Sequence, residues 1–95
     1  MALEDVLRLS EAMLSAARCE NFERLAQLES RRSELLAGVA ELDASPLQLA
    51  EALKQIKALD RAILAILEQE RETAAAALRK LRRARQAVTV YGGVE

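Results

Sequence analysis

The chain has 95 residues with 14 basic and 15 acidic side chains, and a net charge of −1 gives it no overall attraction for nucleic acid or acidic membranes. That length supports one domain with a modest core, and 3 Gly and 1 Pro are too few for a turn-rich β protein. With no histidine and a lone cysteine at Cys19, it lacks the usual general base, the commonest metal ligand and any internal disulfide.

The residues that remain are mostly Ala, Leu, Glu, Arg, Lys and Gln, the strongest helix formers, so the fold class is all-α. Residues 1–5, Met-Ala-Leu-Glu-Asp, do not resemble a secretory signal, which opens with a basic region and an apolar core. No apolar run approaches the ~20 residues of a membrane span. A reduced, cytoplasmic protein with no membrane span is expected, and the solitary Cys19 agrees with that compartment.

The first helix is expected over residues 2–19. Leu3, Val6, Leu7, Ser10, Met13, Leu14 and Ala17 make a wide stripe, opposed by Glu4, Arg8, Glu11 and Arg18. Asn21 then suits the N-cap of a second helix over residues 22–42, because its side-chain oxygen can accept from an amide one turn ahead. The seam of that helix is Leu25, Leu28, Arg32, Leu35, Val39 and Leu42, with Gly38 weakening it without necessarily ending it. Asp43-Ala44-Ser45-Pro46 is the clearest boundary: Ser45 fits an N-cap, and Pro46 the first helical position, where its missing N–H costs nothing.

A third helix over residues 46–90 follows. Its apolar positions recur in alternating steps of four and three from Leu49 through Leu53, Ile56, Asp60, Ile63, Leu67, Glu70, Ala74, Ala77, Leu81, Ala84 and Val88 to Tyr91. A break near Asp60 or Thr73 would turn it into two helices, but the seam keeps its phase through both places. The expected architecture is therefore an antiparallel three-helix bundle or hairpin with a long C-terminal helix, continuous or kinked into a fourth.

Helix lengths turn this into a statement about exposure. At ~1.5 Å per residue the second helix spans roughly 30 Å and an unbroken third more than ~60 Å. Short connections make neighbours antiparallel, so Phe22 falls roughly opposite Leu67. Beyond about Glu68 no part of the chain remains to cover the seam, and an uncovered apolar strip calls for a partner. Ile63, Leu67, Leu78, Leu81, Val88 and Tyr91 are the expected contact residues, with Arg82 and Arg85 on the rim.

Three charges interrupt the seams. Arg32, Asp60 and Glu70 either reach water along the edge of the stripe or, for Arg32 and Asp60, meet across the hairpin, since both lie at similar distances from Ser45. The basic run of Arg79, Lys80, Arg82, Arg83 and Arg85 has no interleaved aromatic for base stacking, so it reads as a solvated face or a rim for an acidic protein sooner than as a nucleic-acid site. No Gly-rich loop precedes a helix, because Gly92 and Gly93 have none after them. No catalytic residue, cofactor or metal ligand emerges.

With the helices laid out, the sequence resembles a FliT-type flagellar export chaperone. The likeness lies in LRLSEAMLSAA from Leu7, in CENFERLAQLESRRSELLAGV from Cys19, where an Asn-aromatic pair opens a helix continued by L-x-x-L-E-x-x-R-x-x-L-L, and in ALDRAILAILEQERE from Ala58. The ending ALRKLRRARQAVTVY, a basic stretch leading to an aromatic, is similar too. FlgN-type chaperones share the middle pattern. The resemblance implies binding of a late export substrate, the filament-cap protein FliD or one like it, through its C-terminal segment. It further implies delivery of that client to the type III export apparatus. Two other classes stay open on the residues alone: a structural coiled-coil protein whose seam joins copies of itself as a homodimer, and a small nucleic-acid-binding regulator.

Overall fold

A computed structural model of the chain describes residues 2–38 and 44–92, the side chains at 2 and 90–92 excepted. Three helices, α1 (Ala2–Arg18), α2 (Phe22–Ala37) and α3 (Pro46–Gly92), account for nearly all of them, and no strand occurs among the described residues.

Local chemistry sets each boundary. The α1 helix ends in a two-bond reversal: the Glu20 N–H donates to the Ala17 carbonyl at 3.0 Å and the Asn21 N–H to that of Ala16 at 2.9 Å. Glu20 sits at φ 58°, the left-handed conformation that such a reversal requires and that glycine adopts at least cost. Asn21 then caps α2, its Oδ1 accepting from the Arg24 N–H at 3.2 Å. At Ser45 the capping is reciprocal: Ser45 Oγ accepts from the Gln48 N–H at 3.1 Å, while the Ser45 N–H donates to Gln48 Oε1 at 3.2 Å.

One boundary differs from expectation. The α2 helix ends at Ala37, with Gly38 as its C-cap and the Gly38 N–H turning back to the Leu35 carbonyl at 3.2 Å. Val39 and Leu42 of the expected seam lie outside the described residues. The α3 helix is continuous over 47 residues, as the unbroken seam implies, and no fourth helix occurs among the described residues. At Thr73 it absorbs the suspected breaker by letting Thr73 Oγ1 donate to the Gln69 carbonyl at 2.9 Å.

The packing centres on α1, which lies against both α2 and α3, whereas α2 and α3 approach each other only sparsely. Its small residues Ala16 and Ala17, 7% and 0% exposed, let backbones come close. Around them Met13, Leu14, Leu25, Leu28 and Ile63 form the core, with Phe22, Leu59 and Ile66 packed on its margin.

The α3 seam divides accordingly. Ala52, Ile56 and Ile63 are buried and Leu59 and Ile66 half-buried, but Leu53 and Leu67 of the expected seam are exposed. The apolar stripe is two rows wide. One row packs on α1, and the row one residue further round, which holds Asp60 and Leu67, is left on the side of α2.

The molecule is a rod with extents of 74 × 20 × 20 Å and a radius of gyration of 20.8 Å. A compact chain of this length would have a radius near ~12 Å. The difference is α3, whose rear half runs past the other two helices.

Candidate partner-binding groove and uncovered tail

Because α1 holds α2 and α3 apart, an apolar groove of about 670 Å³ opens between them. Met13 of α1 forms its floor. Phe22, Leu25 and Ala26 line it from α2, and Ile63, Leu64 and Leu67 from α3. Leu64 is 59% exposed and lies beside the exposed Leu67, so the two make a contiguous apolar patch at the groove.

One end of the groove is closed by a polar clasp that joins all three helices. Arg32 Nη1 donates to Asp60 Oδ1 at 2.6 Å and to Ser10 Oγ at 3.1 Å. Ser10, fully buried, passes its own hydrogen to the Val6 carbonyl at 2.9 Å. The Arg32 side chain is 12% exposed and the Asp60 side chain 38%, so the pair is shielded on the α2 side and wet on the α3 side. Arg32 Nε is buried without a partner, which marks the clasp as a device for register more than for stability.

The other end of the groove opens where α1 stops. There Glu20 reaches Glu70, and the Glu70 pKa is raised, first by a hydrogen bond with Glu20 and then by the charge of that carboxylate. Past Glu70, every residue from 71 to 89 is exposed except the half-buried Ala76. Leu78, Leu81 and Val88 are 47%, 56% and 71% exposed, an apolar strip that no described residue covers.

The residues expected from the sequence fall into two places. Ile63 and Leu67 lie at the groove, Ile63 nearly buried there by α1 and Leu67 open. Leu78, Leu81 and Val88 lie on the strip, with Arg82 and Arg85 exposed beside it. Tyr91 falls in the last turn of α3, but its side chain lies outside the described residues. Phe22 and Leu64 were not singled out. Leu64 sits one turn from Asp60 and Leu67 on the second apolar row, and that spacing is the signal that would have found it.

No helix among the described residues is long and apolar enough to cross a membrane. In comparison with known proteins, the family model described as "Flagellar protein FliT" matches residues 1–93. No curated protein and no solved structure matches the chain.

Proposed function

The chain belongs to the FliT family of flagellar proteins, and from that premise we propose that it is a cytoplasmic, non-catalytic export chaperone. It takes up the C-terminal segment of a late export substrate, of the filament-cap kind, and delivers it to the type III export apparatus. The observation that carries this reading is the groove between α2 and α3, which runs on into the uncovered strip of α3. An amphipathic client helix needs such a surface: apolar pockets spaced along one direction, with charge at the margins to orient it. Here the pockets lie at Phe22, Leu64 and Leu67, the charges at the groove are Glu29, Arg32 and Asp60, and Arg82 and Arg85 rim the strip further along α3.

Calorimetric titration of the full chain with a peptide of the filament-cap protein's C-terminal segment tests the reading. Saturable binding is expected, weakened about 10- to 100-fold by Leu64→Glu, as for loss of one or two central contacts. Failure of the peptide to bind, or binding untouched by Leu64→Glu and Leu67→Glu, contradicts it. A second reading, self-association through α3, rests on the same exposed strip at Leu78, Leu81 and Val88.

A further inference from the structure

We infer that the client of this groove is a charge-segregated amphipathic helix, basic towards its start and acidic towards its end, which lies parallel to α3 with its N-terminus at the Arg32–Asp60 clasp. The inference rests on the reading of the groove as a client site. It adds the direction in which the client lies and the charge pattern that it carries.

The surface to be matched is the second row of α3. Asp60, Leu64, Leu67, Arg71, Leu78, Arg82 and Arg85 recur in steps of three, four or seven, so they share one face of the helix. From Leu64 onward each of them is exposed. The row begins acidic, is apolar through Leu64 and Leu67, and turns basic at Arg71. Glu70 leaves the row to meet Glu20 on the α1 side, and Glu68 and Glu72 lie further round the helix than Arg71.

The α2 wall repeats the acidic start. Glu29 lines the groove with Arg32 and Asp60, and Ser33 Oγ donates to Glu29 Oε1 at 3.0 Å. Arg32 is already engaged by Asp60 and Ser10, so two carboxylates against one guanidinium leave the closed end net negative. Asp60 gives only Oδ1 to Arg32 and its side chain is 38% exposed, which leaves a carboxylate oxygen open to an incoming ammonium or guanidinium. The far end has the opposite sign. Between Glu72 and Glu95 there is no acidic side chain, whereas Arg79, Lys80, Arg82, Arg83 and Arg85 all fall there.

A docked helix brings poles of its own, about half a positive charge at its N-terminus and half a negative charge at its C-terminus. Laid parallel to α3, it sets the positive pole at Glu29 and Asp60 and the negative pole over Arg82 and Arg85. Laid antiparallel, it opposes like signs at both ends. Asp60 and Arg85 lie ~37 Å apart along α3, the length of a helix of about 25 residues. The leucines cannot choose between the two directions, because an apolar seam reads the same either way. The charges make the choice.

The test uses the full chain and two designed peptides of about 24 residues, identical in composition and in their leucine seam. One has its Lys and Arg in the first half and its Glu in the second, and the other has these exchanged. In calorimetric titration at low salt the first should bind about tenfold tighter, and the gap should close near ~1 M salt. Glu29→Lys and Arg82→Glu/Arg85→Glu, all at exposed positions, should each narrow the gap about threefold. A nitroxide on the first residue of the preferred peptide should broaden the amides of residues 57–64 and leave those of 82–89 sharp. Equal affinities, a preference for the second peptide, a gap untouched by either set of substitutions, or broadening at 82–89 instead overturns the proposal. The filament-cap peptide separates this claim from the one it rests on. If that peptide binds while the designed pair is not discriminated, this proposal alone falls. If it fails while the pair behaves as expected, the filament-cap client falls and the direction stands.

Discussion

Arg32 ties the three helices together, and its surroundings decide which substitution hurts. It is the better buried member of its pair with Asp60 and already has one nitrogen without a partner. Arg32→Leu removes that buried charge, leaves Asp60 within reach of water and keeps the Ser10 bond to Val6, so a change within about 1 kcal/mol is expected. Asp60→Leu strands the guanidinium and should cost about 1–3 kcal/mol, somewhat less than for a fully buried pair because Asp60 is partly exposed. Urea unfolding of both variants checks this; equal effects would contradict the asymmetry. The Arg32–Asp60 contact was legible in the sequence, from two charges at matched distances from one turn. The part played by Ser10 was not: a small residue on an apolar stripe looks the same whether it packs passively or bridges an arginine on another helix.

At the scale of the helices, the caps were the most legible features. Asn21 and Ser45 sit where their hydrogen-bonding chemistry places them, and the continuity of α3 follows from a seam that never loses phase. The groove was less legible, because periodicity gives the width of an apolar stripe but not which row a neighbour will choose. With α1 as the central helix, Ala52, Leu59 and Ile66 went inward, and Leu67 was left facing the gap beside Asp60.

The junction of α1 with α3 carries a pH dependence of its own. Glu70 titrates above its ordinary value in the folded chain because of Glu20, so the folded state binds more protons there than the unfolded state does. The stabilisation due to protonated Glu70 is complete below the ordinary carboxylate range and is lost as the pH rises through the folded value. Relative to the parent chain, Glu20→Gln should therefore unfold with a stability that declines less as the pH rises from about 4.5. Glu20→Gly should also relieve the left-handed backbone, a net gain of at most about 1 kcal/mol once glycine's unfolded-state entropy is counted. Parallel pH profiles for parent and Glu20→Gln would contradict the proximity of the two carboxylates.

For the whole molecule, the controlling fact is a length mismatch that the sequence already contained: 17 and 16 residues of α1 and α2 against 47 of α3. The bundle ends at Glu70, and the tail beyond it is a single helix whose residues 71–89 are exposed apart from the half-buried Ala76. Nucleated by the bundle and rich in strong helix formers, it stays helical on local propensity, and only another molecule can add tertiary protection to it. Backbone amide exchange of the dilute chain, repeated with the filament-cap peptide and at high protein concentration, addresses this directly. Slow exchange is expected in α1, in α2 and in residues 52–66 under every condition, with residues 74–89 exchanging fast when dilute and slowing once a partner or second copy is present. A tail already as protected as the bundle in the dilute monomer would contradict the account.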